Sequence, residues 1–250
     1  MQDLGTKVAM VTGASRGFGR ATALVLARHG ADVVVVYRDA DAQAEHVAEE
    51  IRRLGTRAQA MRADVSIPEE CDLLARHAIE RFGRIDILVN NAGVMDVSAF
   101  VTQDSDCWER MIAVNIRGVL ALTRATLPSM CQSGSGRIVN LASQLAHTGA
   151  ENFGVYAGTK AFVLAFTKSL AREVGPAGVT VNAVCPGSIV TDMNRGIYPP
   201  RAQREKAEVL PLRRMGDPDD VGQAVLYLVA ESGRFVTGQC IEVNGGNTMP

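Results

Sequence analysis

The sequence predicts an α/β fold: a single, doubly wound domain with a predominantly parallel seven-stranded sheet and helices on both faces. Two observations carry this. Short β-branched runs alternate with longer amphipathic segments along the 250 residues, and strands separated by helices pair in parallel through right-handed crossovers. The run DVVVVY (32–37) is apolar nearly throughout, as a strand covered on both faces must be.

The elements follow in order. VAMVTG (8–13) reads as the first strand, Gly17 to His29 as a helix and DVVVVY as the second strand. A charged helix runs to about Leu54, and RAQAMRA (57–63) gives a third strand. After another helix, IDILVN (85–90) is the fourth strand, and one long helix is expected from Asp104 to Met130. GRIVNLAS (136–143) is the fifth strand; the helix containing YAGTK continues to about Glu173. VTVNAVCPG (179–187) and QCIEVNGG (239–246) complete the sheet. The Pro- and charge-rich segment from Ile197 to Pro218 interrupts the pattern, so residues 188–216 read as a substrate lid or insertion within one domain spanning 1–250.

Composition narrows the function. The chain is 47% hydrophobic and 21% charged, with net charge −1, which is ordinary for a globular protein. No basic run suggests nucleic acid or an anionic membrane as partner. MQDLGTKVAMVTG lacks the basic start and apolar core of a signal peptide, and no apolar run approaches the ~18 residues of a membrane span. Cys71, Cys107, Cys131, Cys185 and Cys240 are scattered and odd in number. They read as reduced thiols of a cytoplasmic protein, with no zinc or other metal site. His29, His46, His77 and His147 lie far apart and read as surface or loop residues.

The first strand runs into TGASRGFG, which places Gly13, Gly17 and Gly19 at a strand-to-helix turn. Glycines there let backbone approach a pyrophosphate, and the helix N-terminus offers free N–H groups to the anion. The spacing GxxxGxG differs from the common dinucleotide fingerprint and is a weak signal alone. At the end of the second strand, an acid would accept from the 2′-hydroxyl of NAD. Tyr37 stands there with Arg38 after it, and Arg16 lies in the glycine turn. Two guanidinium groups favour the 2′-phosphate of NADP(H); Asp39 leaves NAD(H) as the weaker alternative. In YAGTK, Tyr156 and Lys160 are one helical turn apart and share a face.

These motifs, with Asp64-Val65, NNAG (90–93), Asn115, Ser143, Pro186-Gly187 and Thr191 in order, make the chain similar to the short-chain dehydrogenase/reductase family over nearly its whole length. The resemblance implies a Rossmann fold and a hydride transfer between a nicotinamide and a ketone or secondary alcohol. It makes Tyr156 the general acid or base, its pKa lowered by Lys160, which also holds the nicotinamide ribose. Ser143 binds the substrate oxygen, and Asn115 holds a water leading from Lys160 to solvent. Ser15 and Phe18 join the glycine turn, with Phe18 in place of the usual aliphatic residue. Asp64 and Val65 lie beside the adenine; Asn91, Ala92 and Gly93 back the cofactor, with Asn90 at the ribose. Pro186, Gly187, Ile189 and Thr191 approach the carboxamide or pyrophosphate.

Met95, Ser143, Gln144, Phe153 and Tyr156 are the expected substrate pocket, with Val94, His147, Glu151, Asn152, Ile197 and Tyr198 near it. The function implied is a carbonyl (ketone) reductase. Alternatives are a 3-oxoacyl-(acyl-carrier-protein) reductase, a sugar, steroid or polyol dehydrogenase, and a non-catalytic NADP(H) sensor or scaffold. The loops CQSGSGR (131–137) and EVGPAGV (173–179) hold Arg137 as their one basic residue, which weakens docking to an acidic carrier. His147 has no evident acid partner, so a Ser/His/Asp reading fails. The family commonly forms homotetramers, and that assembly is the expectation here.

Overall fold

The structure is a computed structural model that describes residues 3–191 and 199–250; Ile197 and Tyr198 therefore lie outside the described residues. The strands are β1 (Val8–Thr12), β2 (Asp32–Tyr37), β3 (Ala58–Arg62), β4 (Ile87–Asn90), β5 (Arg137–Leu141), β6 (Thr180–Pro186) and β7 (Cys240–Val243). They form one sheet in the order β3-β2-β1-β4-β5-β6-β7, with every neighbouring pair parallel. The expected seven strands are all present.

The β2 run shows why it is apolar. Val33 and Val35 pack on one face of the sheet with Val11, Leu24, Val47 and Val225. Val34 and Val36 pack on the other with Met10, Leu74, Leu88 and Ile138. Alternate side chains of a strand point to opposite faces, and here both faces are covered. The first layer is built by α1 (Gly17–Arg28), α2 (Asp41–Arg53) and a C-terminal helix. The second contains α3 (Pro68–Phe82).

The helix expected over Asp104 to Met130 is present and carries a π-helical turn. It divides into α4 (Ser105–Ile112), a π-helical turn at Ala113–Arg117 and α5 (Gly118–Ser133). The extra residue of a π turn has no sequence signature, and such turns gather at functional sites; this one holds Asn115. The four-residue α6 (Leu145–Thr148) follows β5, and α7 (Gly154–Val174) carries YAGTK. The stretch expected to be a lid contains α8 (Pro200–Val209).

The last helix, α9 (Pro218–Val229), has no counterpart in the sequence reading. Its signals were present: Pro218 at the first position and a capping box between Asp217 and Asp220. It packs closely on α1 because Gly222 has no side chain; a Cβ there would sit 2.9 Å from Val25 Cγ2.

Candidate active site

A cleft of about 820 Å³ opens along the carboxyl ends of β1, β2, β3, β4, β5 and β6. Strand order reverses between β1 and β4, and open α/β sheets bind ligands at such switch points.

The glycine turn forms one wall. Gly13 has φ +63° and Gly17 φ +56°, left-handed conformations that glycine adopts without strain. A Cβ on Gly19 would stand 2.3 Å from Gly13 O and 2.6 Å from Asn91 Nδ2, so only glycine fits. No side chain caps α1, whose N-cap residue is Arg16. Its first-turn amides are thus left for an anion. These features fit the pyrophosphate of a dinucleotide. Ser15, Arg16, Gly17 and Phe18 line the cleft, whereas Gly19 is buried behind it.

Tyr37, Arg38, Asp39, Asp64 and Val65 line the adjoining end. Arg38 Nε donates to Asp39 Oδ2 at 2.6 Å, and its Nη1 lies 3.8 Å from Asp64 Oδ2. Asp39, the residue that kept NAD(H) open, is thus ion-paired with the arginine. Burial, reinforced by Asp41, raises the Tyr37 pKa.

The NNAG loop is fastened to β1 through the hydroxyl and carbonyl of Thr12. Thr12 Oγ1 accepts from Asn91 N and Ala92 N, both at 2.9 Å. Asn91 Nδ2 donates to Thr12 O at 2.7 Å. Asn91, Ala92, Gly93, Val94 and Met95 all face the cleft. Asn90 does not, which corrects its expected ribose contact. Its side chain points into the core, where Nδ2 donates to Thr123 Oγ1 and Asn140 Oδ1.

Ser143, Gln144, Phe153, Tyr156 and Lys160 come together at the next part of the cleft. Ser143, two residues beyond β5, is buried, and its Oγ accepts from Leu145 N at 3.2 Å. It thus starts α6 while facing Tyr156. The Tyr156 ring is half-buried and meets Phe153 edge-on, with centroids 6.4 Å apart. Lys160 is buried; its Nζ donates to Leu141 O at 2.7 Å and lies 5.9 Å from the Tyr156 ring centroid.

Burial pushes the Tyr156 hydroxyl up to about 12, against the hydrogen bond to Ser143, which lowers it. Burial also pulls the Lys160 ammonium down to about 8. In the chain alone, burial is the largest influence on the tyrosine. At neutral pH Tyr156 holds its proton.

Asn115 is wholly buried and does not line the cleft. Its Oδ1 accepts from Val94 N at 2.9 Å; its Nδ2 donates to Val94 O at 2.9 Å and to Thr159 Oγ1 at 3.1 Å. A Cβ on Gly93 would reach within 3.4 Å of Asn115 Oδ1 and 3.5 Å of Lys160 Nζ. Glycine there keeps the space between these two groups open.

Pro186, Gly187 and Thr191 line the far end. Ile189 has its side chain in the core and pairs with Gly216 through an isolated bridge, so only its backbone can face a ligand. Glu151 and Asn152 are exposed outside the cleft lining. The fold gives His147 the acid partner that its sequence neighbourhood lacks: Nε2 lies 3.2 Å from Glu242 Oε1. Sequence reasoning missed Arg110 and Lys206, which also line the cleft; their positions depend on helix packing that spacing does not encode.

A family model described as enoyl-(acyl carrier protein) reductase matches residues 13–248. The chain is 38% identical over 244 residues to a 3-oxoacyl-(acyl-carrier-protein) reductase of Staphylococcus aureus, covering 98% of this chain and 99% of that protein. It is also 38% identical to the oxidoreductase UcpA of Escherichia coli O157:H7, covering 100% of this chain and 97% of that one. Among solved structures it resembles a blue fluorescent protein from a metagenomic library in complex with NADPH, at TM-score 0.93 and 37% identity, covering 99% and 100% of the two chains. It resembles equally a 7α-hydroxysteroid dehydrogenase complexed with NADH and 7-oxo glycochenodeoxycholic acid, at TM-score 0.94 and 33% identity, covering 99% and 96%. No helix among the described residues is long and apolar enough to cross a membrane. With the glycine turn, the serine–tyrosine–lysine cluster and these likenesses, the chain belongs to the short-chain dehydrogenase/reductase family, NAD(P)-dependent oxidoreductases that interconvert alcohols and carbonyls.

Proposed function

We propose that the chain is an NADP(H)-dependent carbonyl reductase acting on ketones of modest size. The observation that carries this is a tyrosine hydroxyl beside a serine hydroxyl in the same cleft as the glycine cradle. A reductase needs an acid at the carbonyl oxygen, and the Tyr156 hydroxyl, hydrogen-bonded to Ser143 in the cleft, is placed to be one.

When bound, the nicotinamide supplies the hydride. Ser143 Oγ donates a hydrogen bond to the carbonyl oxygen as charge develops there, and Tyr156 delivers the proton. Lys160, anchored on Leu141 O, places its positive charge beside the ring and stabilises the phenolate left behind. Asn115 positions the Val94 backbone at the cleft wall. Arg16 and Arg38 at the adenosine end carry the charge that suits a 2′-phosphate.

The relatives give a second reading: reduction of a 3-oxoacyl group on a carrier protein. Arg137, the one basic residue of the two loops at the expected docking site, starts β5 and donates from Nη1 to the neighbouring Gly136 O at 2.9 Å. That favours a free ketone. For assembly, a homotetramer is supported by exposed apolar side chains on or beside the long helices, among them Phe100, Leu120 and Tyr227.

The test is initial-rate oxidation of NADPH, and separately NADH, against simple ketones, 3-oxoesters, diketones and a 3-oxoacyl carrier thioester. Turnover of small ketones with NADPH is expected; turnover of the carrier thioester alone overturns the substrate assignment. Tyr156→Phe should lower kcat by about 10²–10⁴ while NADPH still quenches protein fluorescence. Undiminished kcat in that variant would remove the tyrosine from the chemistry.

A further inference from the structure

Outside the cleft, α6, β6 and β7 bring four metal-ligating side chains together. Cys240 and Glu242 are two residues apart on β7 and share a face. Cys185 on β6 pairs in register with Glu242, and His147 reaches over from α6. Their ligand atoms all lie within 4.8 Å of one another. The four residues lie 38, 55 and 2 positions apart in successive pairs, which is why sequence spacing gave the expectation of no metal site. None of the four lines the cleft.

We propose that His147, Cys185, Cys240 and Glu242 form a binding site for a divalent transition metal ion of the zinc type. Two thiolates, an imidazole and a carboxylate are the donors such an ion takes in a closed tetrahedral site. The spacing is close to what that requires. With metal bonds of about 2.0–2.3 Å, tetrahedral donors lie about 3.3 Å apart for nitrogen and oxygen and about 3.5–3.6 Å apart where one is sulfur.

The structure has His147 Nε2 at 3.2 Å from Glu242 Oε1, Cys240 Sγ at 3.6 Å from Glu242 Oε1 and Cys185 Sγ at 3.9 Å from His147 Nε2. The two sulfurs, now 2.7 Å apart, must separate by about 1 Å. Glu242 is already oriented by a second bond: its Oε2 accepts from Asn244 Nδ2 at 3.0 Å, the kind of outer contact that holds a ligating carboxylate in place. The His147 and Glu242 side chains are 24% and 17% exposed, so the ion has a route in. Binding displaces the two thiol protons to solvent.

The ion would act as a clamp rather than a Lewis acid for the reaction. α6 begins two residues after Ser143, and Pro186-Gly187 follow Cys185 directly. Joining α6 to β6 and β7 therefore braces two segments of the substrate side of the cleft.

The full-length protein, reduced and stripped with chelator, is titrated with Co²⁺ and then Zn²⁺. One equivalent of Co²⁺ should give a thiolate-to-cobalt charge-transfer band and the intense visible bands of a tetrahedral ion. Zn²⁺ should bleach both and raise Tm. Cys240→Ser and His147→Ala should each weaken Co²⁺ binding by more than about tenfold. Should Cys240→Ser fail to fold, Glu242→Gln is expected to shift the visible bands in its place. Absence of a thiolate band overturns the proposal, as does a band of full strength in Cys240→Ser. So does a reductant-resistant Cys185–Cys240 disulfide in protein that takes up no metal.

Discussion

Lys160→Met tests the electrostatics of the cleft most directly. Lys160 is 6% exposed, and burial takes its ammonium from 10.5 to about 8. Below pH 8 both folded and unfolded chains carry the proton, and the folded chain bears the whole cost of the buried charge. As pH rises from 8 to 10.5 the folded chain loses the proton first, so this group makes folding more favourable. The full gap corresponds to about 3 kcal/mol, most of it realised by pH 10. Methionine has a similar shape and no charge. The unfolding free energy of the parent minus that of Lys160→Met should thus rise by about 2–3 kcal/mol between pH 7 and pH 10.

At pH 7 the variant sheds a penalty of about 3 kcal/mol and leaves the Leu141 carbonyl without its donor, a cost of about 1–3 kcal/mol. It should therefore be at least as stable as the parent while losing turnover. Urea unfolding of both cofactor-free proteins at pH 7, 8.5 and 10 measures the difference, in which the titrations they share cancel. A difference that stays flat or falls with pH would refute the reasoning.

Two further outcomes follow from the same geometry. Asn115→Ala strips Val94 N, Val94 O and Thr159 Oγ1 of their partner inside the core; urea unfolding should show a loss of about 2–3 kcal/mol, and a loss under about 0.5 kcal/mol would contradict it. Arg38→Asp should lower the NADPH-to-NADH ratio of kcat/KM by about tenfold or more, and an unchanged ratio would remove Arg38 from cofactor selection.

The strands were legible because covered parallel strands favour long apolar runs, as the four valines of β2 show. The glycine turn was legible because Gly13 and Gly17 meet backbone angles that few other residues adopt, and Gly19 a contact that none can. What escaped was set by neighbours. The π turn at Asn115 depends on how α4 and α5 pack, and the helix α9 was hidden by the proline-rich stretch before it despite its Asp217 cap. The position of Tyr156 could be read, but not its proton affinity, since the spacing to Lys160 says nothing of how deeply both are buried. Cys185 and Cys240 looked unrelated because only strand order makes β6 and β7 neighbours.

The Thr12 hydroxyl, which holds Asn91 N and Ala92 N, has a consequence for motion. The NNAG loop is held at Thr12 and, through Asn91 Nδ2, at Gly13 O, so it cannot lift away from the sheet without loosening the glycine turn. Amide exchange at Asn91 and Ala92 should then report openings of the Gly13 turn as well as their own. A ligand gripping either loop would slow exchange in both, making the cleft floor a single cooperative unit although its halves lie some 80 residues apart in the chain.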